Sequence, residues 1–238
     1  MVVPEVNPQA ILKHKGIIAN PNCSTIIMVM ALKPIYDLAK IKRVIVSTYQ
    51  AVSGAGKEGI DELDAQVREH SEGREMTANI LPSASAEKHY PIAFNLIPQI
   101  DVFCDNLYTK EEMKMVNETK KIMEDYEMRI TATTIRVPVY RSHSESVNIE
   151  LEKEVDLGAM REALAKFPGV TVQDDPSKQE YPMPLYTSEK DDVYVGRLRR
   201  DESWEKSYNM WVVGDQIRKG AALNTLQIAE TMIKNGWI

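Results

Sequence analysis

The sequence predicts an α+β fold, a mixed and largely antiparallel sheet covered by helices, with a further helix at the C-terminus. Two observations carry this. Several short runs are rich in β-branched residues, and several longer runs have helical periodicity. These two kinds of segment do not alternate cleanly, as they would in a doubly wound parallel sheet.

The first helical run is residues 24–39 (STIIMVMALKPIYDLA), apolar on all sides, with Ser24 or Thr25 near its start and Pro34 expected to kink or divide it. Residues 42–50 (KRVIVSTYQ) read as a strand, followed by the glycine turn 53–56 and a charged amphipathic helix over about 57–71. Pro82, Pro91 and Pro98 make 80–98 an irregular connection, and 100–104 (IDVFC) suggests a strand. Residues 110–125 predict a helix with Met115, Thr119, Ile122 and Met123 on one face. Strands follow at 129–137 and 146–152, then a helix at 156–166 stopped by Phe167-Pro168-Gly169. Residues 174–192 are polar and read as a long surface loop. Strands at 193–199 and 207–213 and a final helix at about 216–235 complete the chain.

The 238 residues are 43% hydrophobic and 27% charged, an ordinary globular composition. A net charge of -6 argues against a nucleic-acid partner, which would need a basic face. No apolar run reaches the ~18–20 residues that cross a bilayer. The first residues have neither the basic nor the apolar region of a secretion signal, so the cytoplasm is the expected compartment and no membrane partner is expected. The two cysteines, Cys23 and Cys104, are too few for a disulfide scaffold, and no metal-ligand spacing occurs.

Cys23 follows the turn-forming Asn20-Pro21-Asn22 at the entrance of the first helix. Helix-terminal amides favour an anion, so a thiol there is expected to have a depressed pKa. The competing reading is an inert core cysteine, and this is the one adopted for Cys104, inside the expected strand. Of the four histidines, His14 and His70 read as solvated and His89 carries no signal. His143 lies in Arg141-Ser142-His143-Ser144-Glu145, read as a polar turn between two strands, where catalytic groups often sit. Gly54-Ala55-Gly56-Lys57-Glu58-Gly59 matches G-x-G-x-x-G between a strand and a helix. No second βαβ unit follows, so it is not a complete dinucleotide site, although its amides can face a phosphate or a nicotinamide. Glu118 and Lys121, three apart, share a helix face; a surface ion pair is the plain reading. Arg136 ends an apolar strand, where it serves either a structural ion pair or a carboxylate clamp.

The order of six segments adds to this. NPNCST, STYQAVSGAG, HYPIAFNLIPQID, EEMKMVNETKKIM, RVPVYRSHSES and MWVVGDQIRKGAALNTLQIAE succeed one another, with Gln50 27 residues after Cys23. This succession resembles the aspartate-β-semialdehyde dehydrogenases over nearly the whole chain. The resemblance implies the C-terminal-domain fold of the glyceraldehyde-3-phosphate dehydrogenase type. It also implies NADP-dependent, phosphorylating oxidation of L-aspartate β-semialdehyde through a cysteine thioester, in amino-acid biosynthesis. Cys23 would be the nucleophile, His143 the acid/base, and Gln50 the group orienting substrate. Arg136, Glu118, Lys121 and Asn22 would bind substrate and phosphate. Ser53, Gly54, Ala55, Gly56 and Asn224 would contact NADP.

Members of that family are longer and open with a Rossmann domain. On this resemblance the present chain is expected to lack that domain and to hold NADP weakly or not at all. Residues 1–215 would form the catalytic and dimerisation domain of a homodimer, and 216–238 a helix that normally packs on the missing part. Three other readings stay open: an N-acetyl-glutamyl-phosphate reductase, a Cys-His hydrolase, and an inactive dimerisation fragment.

Overall fold

The structure is a computed structural model that describes residues 1–84 and 86–238. Its frame is a six-stranded sheet made of β1 (Ile41–Gln50), β2 (Arg129–Arg136), β3 (His143–Leu151), β4 (Val170–Val172), β5 (Val193–Arg200) and β6 (Ser207–Gly214). The spatial order is β2-β1-β3-β6-β5-β4. The inner pairs β1–β3, β3–β6 and β6–β5 are antiparallel, and the outer pairs β1–β2 and β5–β4 are parallel. The predicted mixed sheet is thus present.

One face of the sheet is dry. Along β1 and β3 alternate residues are buried, among them Val44, Val46, Thr48 and Gln50 on β1 and His143, Glu145, Val147 and Ile149 on β3. Period-two alternation puts each set on a single side of the pleat. The helix α1 (Cys23–Leu38) lies on that face. It is apolar on all sides because every residue from Ser24 to Leu32 is buried, between the sheet below and its neighbours α3 (Lys110–Ile122) and α4 (Leu157–Lys166). Pro34 does not divide α1, contrary to expectation. It removes one hydrogen bond, to the carbonyl of Met30, and burial of the whole helix holds it together.

The helix expected at about 57–71 is α2 (Lys57–Ser71). With Val52, Leu81, Ile92, Ala93 and Ile97 it forms a second, smaller core. Two of its buried polar side chains organise the irregular connection that follows. Glu62 accepts from the amides of Asn79, Ile80 and Leu81, and Gln66 accepts from those of Ile92 and Ala93.

Four local expectations are corrected. Residues 100–104 are not a strand; a single bridge joins Phe103 to Thr109, and the segment is a turn with Asp101 and Leu107 at positive φ. Phe103 is 57% exposed, so the apolar run has no second surface to pack against, and Cys104 is a half-buried turn residue. His143 is not in a turn but opens β3, because β6 runs on to Gly214 and pairs with it; the corner falls one residue earlier, at Ser142 with φ 71°. The short β4 was missed, and the loop at 174–192 contains the small helix α5 (Pro184–Thr187). The last helix begins as a wide π turn, Arg218–Ala222, before α6 (Leu223–Lys234). Asp215 caps that turn by accepting from the amides of Ile217 and Arg218.

Ile228 of α6 packs on Val2 and Ile11 at the start of the chain, while Leu226 and Ile233 on its other side are more than 60% exposed. Among the described residues, no helix is long and apolar enough to cross a membrane.

Candidate active site

The site forms where α1 begins, at the end of the sheet carrying the last residues of β1 and β2 and the first of β3. Asn22 caps α1, its side chain accepting from the amide of Thr25 at 3.1 Å, so Cys23 occupies the first helical position. Gln50 ends β1 and Arg136 ends β2, and parallel register places them side by side. His143 opens β3. One residue ties these strands together: Ala51 donates its amide to His143 Nδ1 at 3.0 Å, and its carbonyl accepts from Arg136 Nη1 at 2.8 Å.

The helix α3 closes the other side. Thr109 and Glu112 form a reciprocal capping box at its start, and Glu112 also accepts from the amide of Thr134 on β2 at 3.0 Å. This docking sets the rotation of α3. Glu111 then meets Asn22 Nδ2 at 2.8 Å and Gln50 Nε2 at 3.3 Å, while Glu118 accepts from the Asn22 amide at 2.7 Å. Both carboxylates are buried. Lys114 balances Glu111 at 3.4 Å and reaches Asp101 at 3.2 Å.

Glu111 and Lys114 were not singled out from the sequence, although Glu111, Lys114 and Glu118 share the i, i+3, i+7 spacing of one helix face. Lys121 is not brought to this group. It is exposed and lines a separate groove of about 630 Å³ with Met1, Lys13, His14 and Lys15.

The electrostatics reverse one expectation. Burial first and the Glu111 charge second raise the Cys23 thiol, the amide and hydroxyl of Ser24 and the charge of Arg136 only partly oppose this, and the pKa is pushed up to about 12. The helix-start effect on Cys23 is therefore real but smaller than desolvation. Burial likewise lowers the Arg136 pKa and, with Arg136 alongside, holds His143 well below the ordinary histidine value. Burial raises Glu118, and backbone donation from Asn22 partly offsets it. Among the described residues, His143 Nε2 and Arg136 Nε are buried nitrogens without a hydrogen-bond partner.

Two glycines shape the space. A Cβ on Gly54 would lie 2.7 Å from Arg136 Nη1 and 3.4 Å from His143 Nε2, and one on Gly220 would lie 2.9 Å from the Cys23 Cβ. Gly54, Ala55 and Gly56, the last at φ 84°, form the turn that leads into α2. Ser53 and Asn224 are already engaged. Ser53 Oγ accepts from Gln216, while Asn224 donates to Val2 and Asn20 and accepts from Lys219.

A thiol, an imidazole, carboxylates and a guanidinium are the groups that nucleophilic chemistry on a carbonyl compound uses. The family model "Semialdehyde dehydrogenase, dimerisation domain" matches residues 32–219. The aspartate-semialdehyde dehydrogenase of Aquifex aeolicus is 55% identical over 240 residues, covering 100% of this chain and 69% of that protein. Aspartate semialdehyde dehydrogenase II of Vibrio cholerae, solved also in complex with ASA, superposes with a TM-score of 0.91 at 46% identity, over 98% of this chain and 68% of that one. The Candida albicans enzyme solved with NADP shares the fold at a TM-score of 0.72 and 24% identity, over 100% of this chain and 67% of that one. The chain belongs to the aspartate-semialdehyde dehydrogenases, a family of oxidoreductases.

Proposed function

We propose that this chain carries the acyl-transfer half of a phosphorylating aldehyde dehydrogenase acting on L-aspartate β-semialdehyde. The meeting of Gln50, Arg136 and His143 at Ala51, with Cys23 at the start of α1 near the Arg136 charge, carries this reading. In it the Cys23 sulfur attacks the aldehyde carbon. Arg136 faces the substrate carboxylate, since it is a buried cation with an unpartnered Nε. Glu111 is the better placed carboxylate for the substrate ammonium, with Glu118 behind Asn22. Gln50 and Asn22, both held on Glu111, orient the carbonyl beside the sulfur. His143 turns a donor toward the carbonyl oxygen. Lys114 supplies a cation for phosphate at the mouth, a position the resemblance had given to Lys121.

The turn Gly54, Ala55 and Gly56 is the part of the chain that would face a nicotinamide, because Gly54, without a Cβ, lets this backbone lie directly against Arg136 and His143. NADP held there would supply the hydride acceptor for oxidising the Cys23 adduct to a thioester that phosphate cleaves. The outward sheet face, where the rings of Tyr49 and Trp211 meet at 5.5 Å and a 45° tilt, is the surface offered to a second copy in a homodimer.

The test is acylation of the chain by radiolabelled β-aspartyl phosphate, a step that needs no NADP, with retention of the acyl label after acid quench. Cys23→Ser should lose at least about 10³-fold in rate and all covalent label, as expected on removing a nucleophile. Cys104→Ser should keep both. Label persisting in Cys23→Ser would sink the assignment.

A further inference from the structure

Among the described residues Lys219 is the one buried lysine, at 1% exposure. Its ammonium donates to Glu5 Oε2 at 2.6 Å, to Gln227 Oε1 at 2.7 Å and to Asn224 Oδ1 at 3.2 Å. Three acceptors use all three N–H bonds of an ammonium and one more than a neutral amine has, so the group is held as a cation. Burial lowers its pKa, and the charge and hydrogen bond of Glu5 work against that.

The wide turn at Arg218–Ala222 makes this arrangement possible. Residues three or four apart share a face of an α-helix, and residues five apart do not. The bonds of a π turn run five residues back, as from the Ala222 amide to the Ile217 carbonyl, and this brings Asn224 round to Lys219. Gln227 follows Asn224 by three on α6.

An ammonium can only donate, so amide orientations are fixed in sequence from it. Asn224 turns Oδ1 to Lys219 and therefore Nδ2 to the Val2 carbonyl at 3.0 Å and to Asn20 Oδ1 at 2.7 Å. Asn20 then has Nδ2 left for the carbonyls of Pro21 at 3.2 Å and Gly220 at 3.5 Å. The same turn lays the Gly220 backbone on Cys23. A Cβ on Gly220 would lie 2.9 Å from the Cys23 Cβ, 3.2 Å from its Cα and 3.4 Å from its carbonyl oxygen. One buried cation thus ties the segment leading into Cys23 to the turn that covers it.

We propose that Lys219 is a positioning residue for the nucleophile, holding the π turn closed over Cys23 through Glu5, Asn224 and Asn20. It touches no reacting atom. The proposal rests on the aldehyde-dehydrogenase reading for the role of the sulfur, but not for the seating of the turn. Its consequence is a sulfur kept fixed and shielded. Desolvation is the largest cause raising the Cys23 pKa, so releasing the turn admits water and increases the thiolate fraction.

The test measures alkylation of the folded, ligand-free chain by iodoacetamide at about pH 8, resolving the two cysteine peptides by mass spectrometry. Lys219→Met keeps the length of the side chain and removes its three donors. Cys23 should react at least about tenfold faster in this variant, with Cys104 within about twofold of its native rate. Lys219→Met also leaves Glu5 as a carboxylate without its cation, so a lower unfolding midpoint in urea is expected. The double variant Glu5→Gln/Lys219→Met removes both charges. It should recover most of that midpoint, yet Cys23 should stay fast, because the donors to Asn224 and Gln227 are still missing.

An unchanged Cys23 rate in Lys219→Met would overturn the proposal. So would equal acceleration of both cysteines, which reports general loosening. A Cys23 rate that returns to the native value along with the midpoint in the double variant would reduce Lys219 to a structural ion pair and refute its positioning role. No substrate enters these measurements. Failure here is therefore distinct from failure of the radiolabel experiment, which tests the enzyme reading itself.

Discussion

Glu145 is the most exacting test of the sheet core. It sits two residues from His143 on the dry face of β3, opposite Thr48 of β1 and Val212 of β6. It is 0% exposed, and neither carboxylate oxygen has a hydrogen-bond partner among the described residues. Burial holds its pKa well above the ordinary value of 4.5, so the folded chain carries it protonated where the unfolded chain ionises it.

The sign follows from proton counting. Above about pH 4.5 the native state binds one more proton than the unfolded state, so stability is full below that pH and falls as pH rises toward the folded pKa. The slope is about 1.4 kcal/mol per pH unit, or roughly 3–5 °C in Tm for a chain of this size. Glu145→Gln has the same shape and no proton to lose. Its own unpaired amide adds a constant offset, independent of pH. Urea unfolding of both proteins at successive pH values from about 5 upward should therefore show the variant gaining about 1.4 kcal/mol on the native chain with each unit, until the folded pKa is reached. Parallel curves would refute the reasoning, because they would mean that Glu145 ionises in the native state at little cost.

Two further substitutions probe how the site is held. Gly220→Ala would put a Cβ 2.9 Å from that of Cys23. It should cost about 1–3 kcal/mol by overpacking. It should also lower kcat/KM by about 10²-fold as the sulfur shifts, with unfolding midpoints and steady-state rates as the two measures. Thr109→Ala removes the cap of α3 and frees Glu112 from its box. A loss of about 1 kcal/mol is expected by urea unfolding, together with a weaker KM for the aldehyde because Glu111 rides on the same turn. An unchanged KM would show that the docking of Glu112 on Thr134 suffices alone.

Much of the architecture was legible because it depends on neighbours in sequence. The long apolar run of α1, the amphipathic pattern of α2 and the β-branched run of β1 each located their element within a residue or so. The position of Cys23 at a helix start was legible for the same reason, since Asn22 is a good cap. Elements whose existence depends on a distant partner were not. The apolar run at 100–104 found no strand to pair with, and His143 was drawn into β3 by the length of β6.

What the sequence by itself determined is the inventory: a thiol, an imidazole, a guanidinium and an amide, in an order characteristic of one family. Tertiary structure decided which glutamate meets them and in what ionisation state. Glu111 and Glu118 lie on one helix face, and only the docking of Glu112 on Thr134 sets how that face is rotated toward Asn22. The pKa of Cys23 was expected to fall and instead rises to about 12, because desolvation is summed over atoms from α1, the π turn and the sheet that no local segment contains. Periodicity travels along the chain, whereas dielectric and rotation are properties of the packed whole.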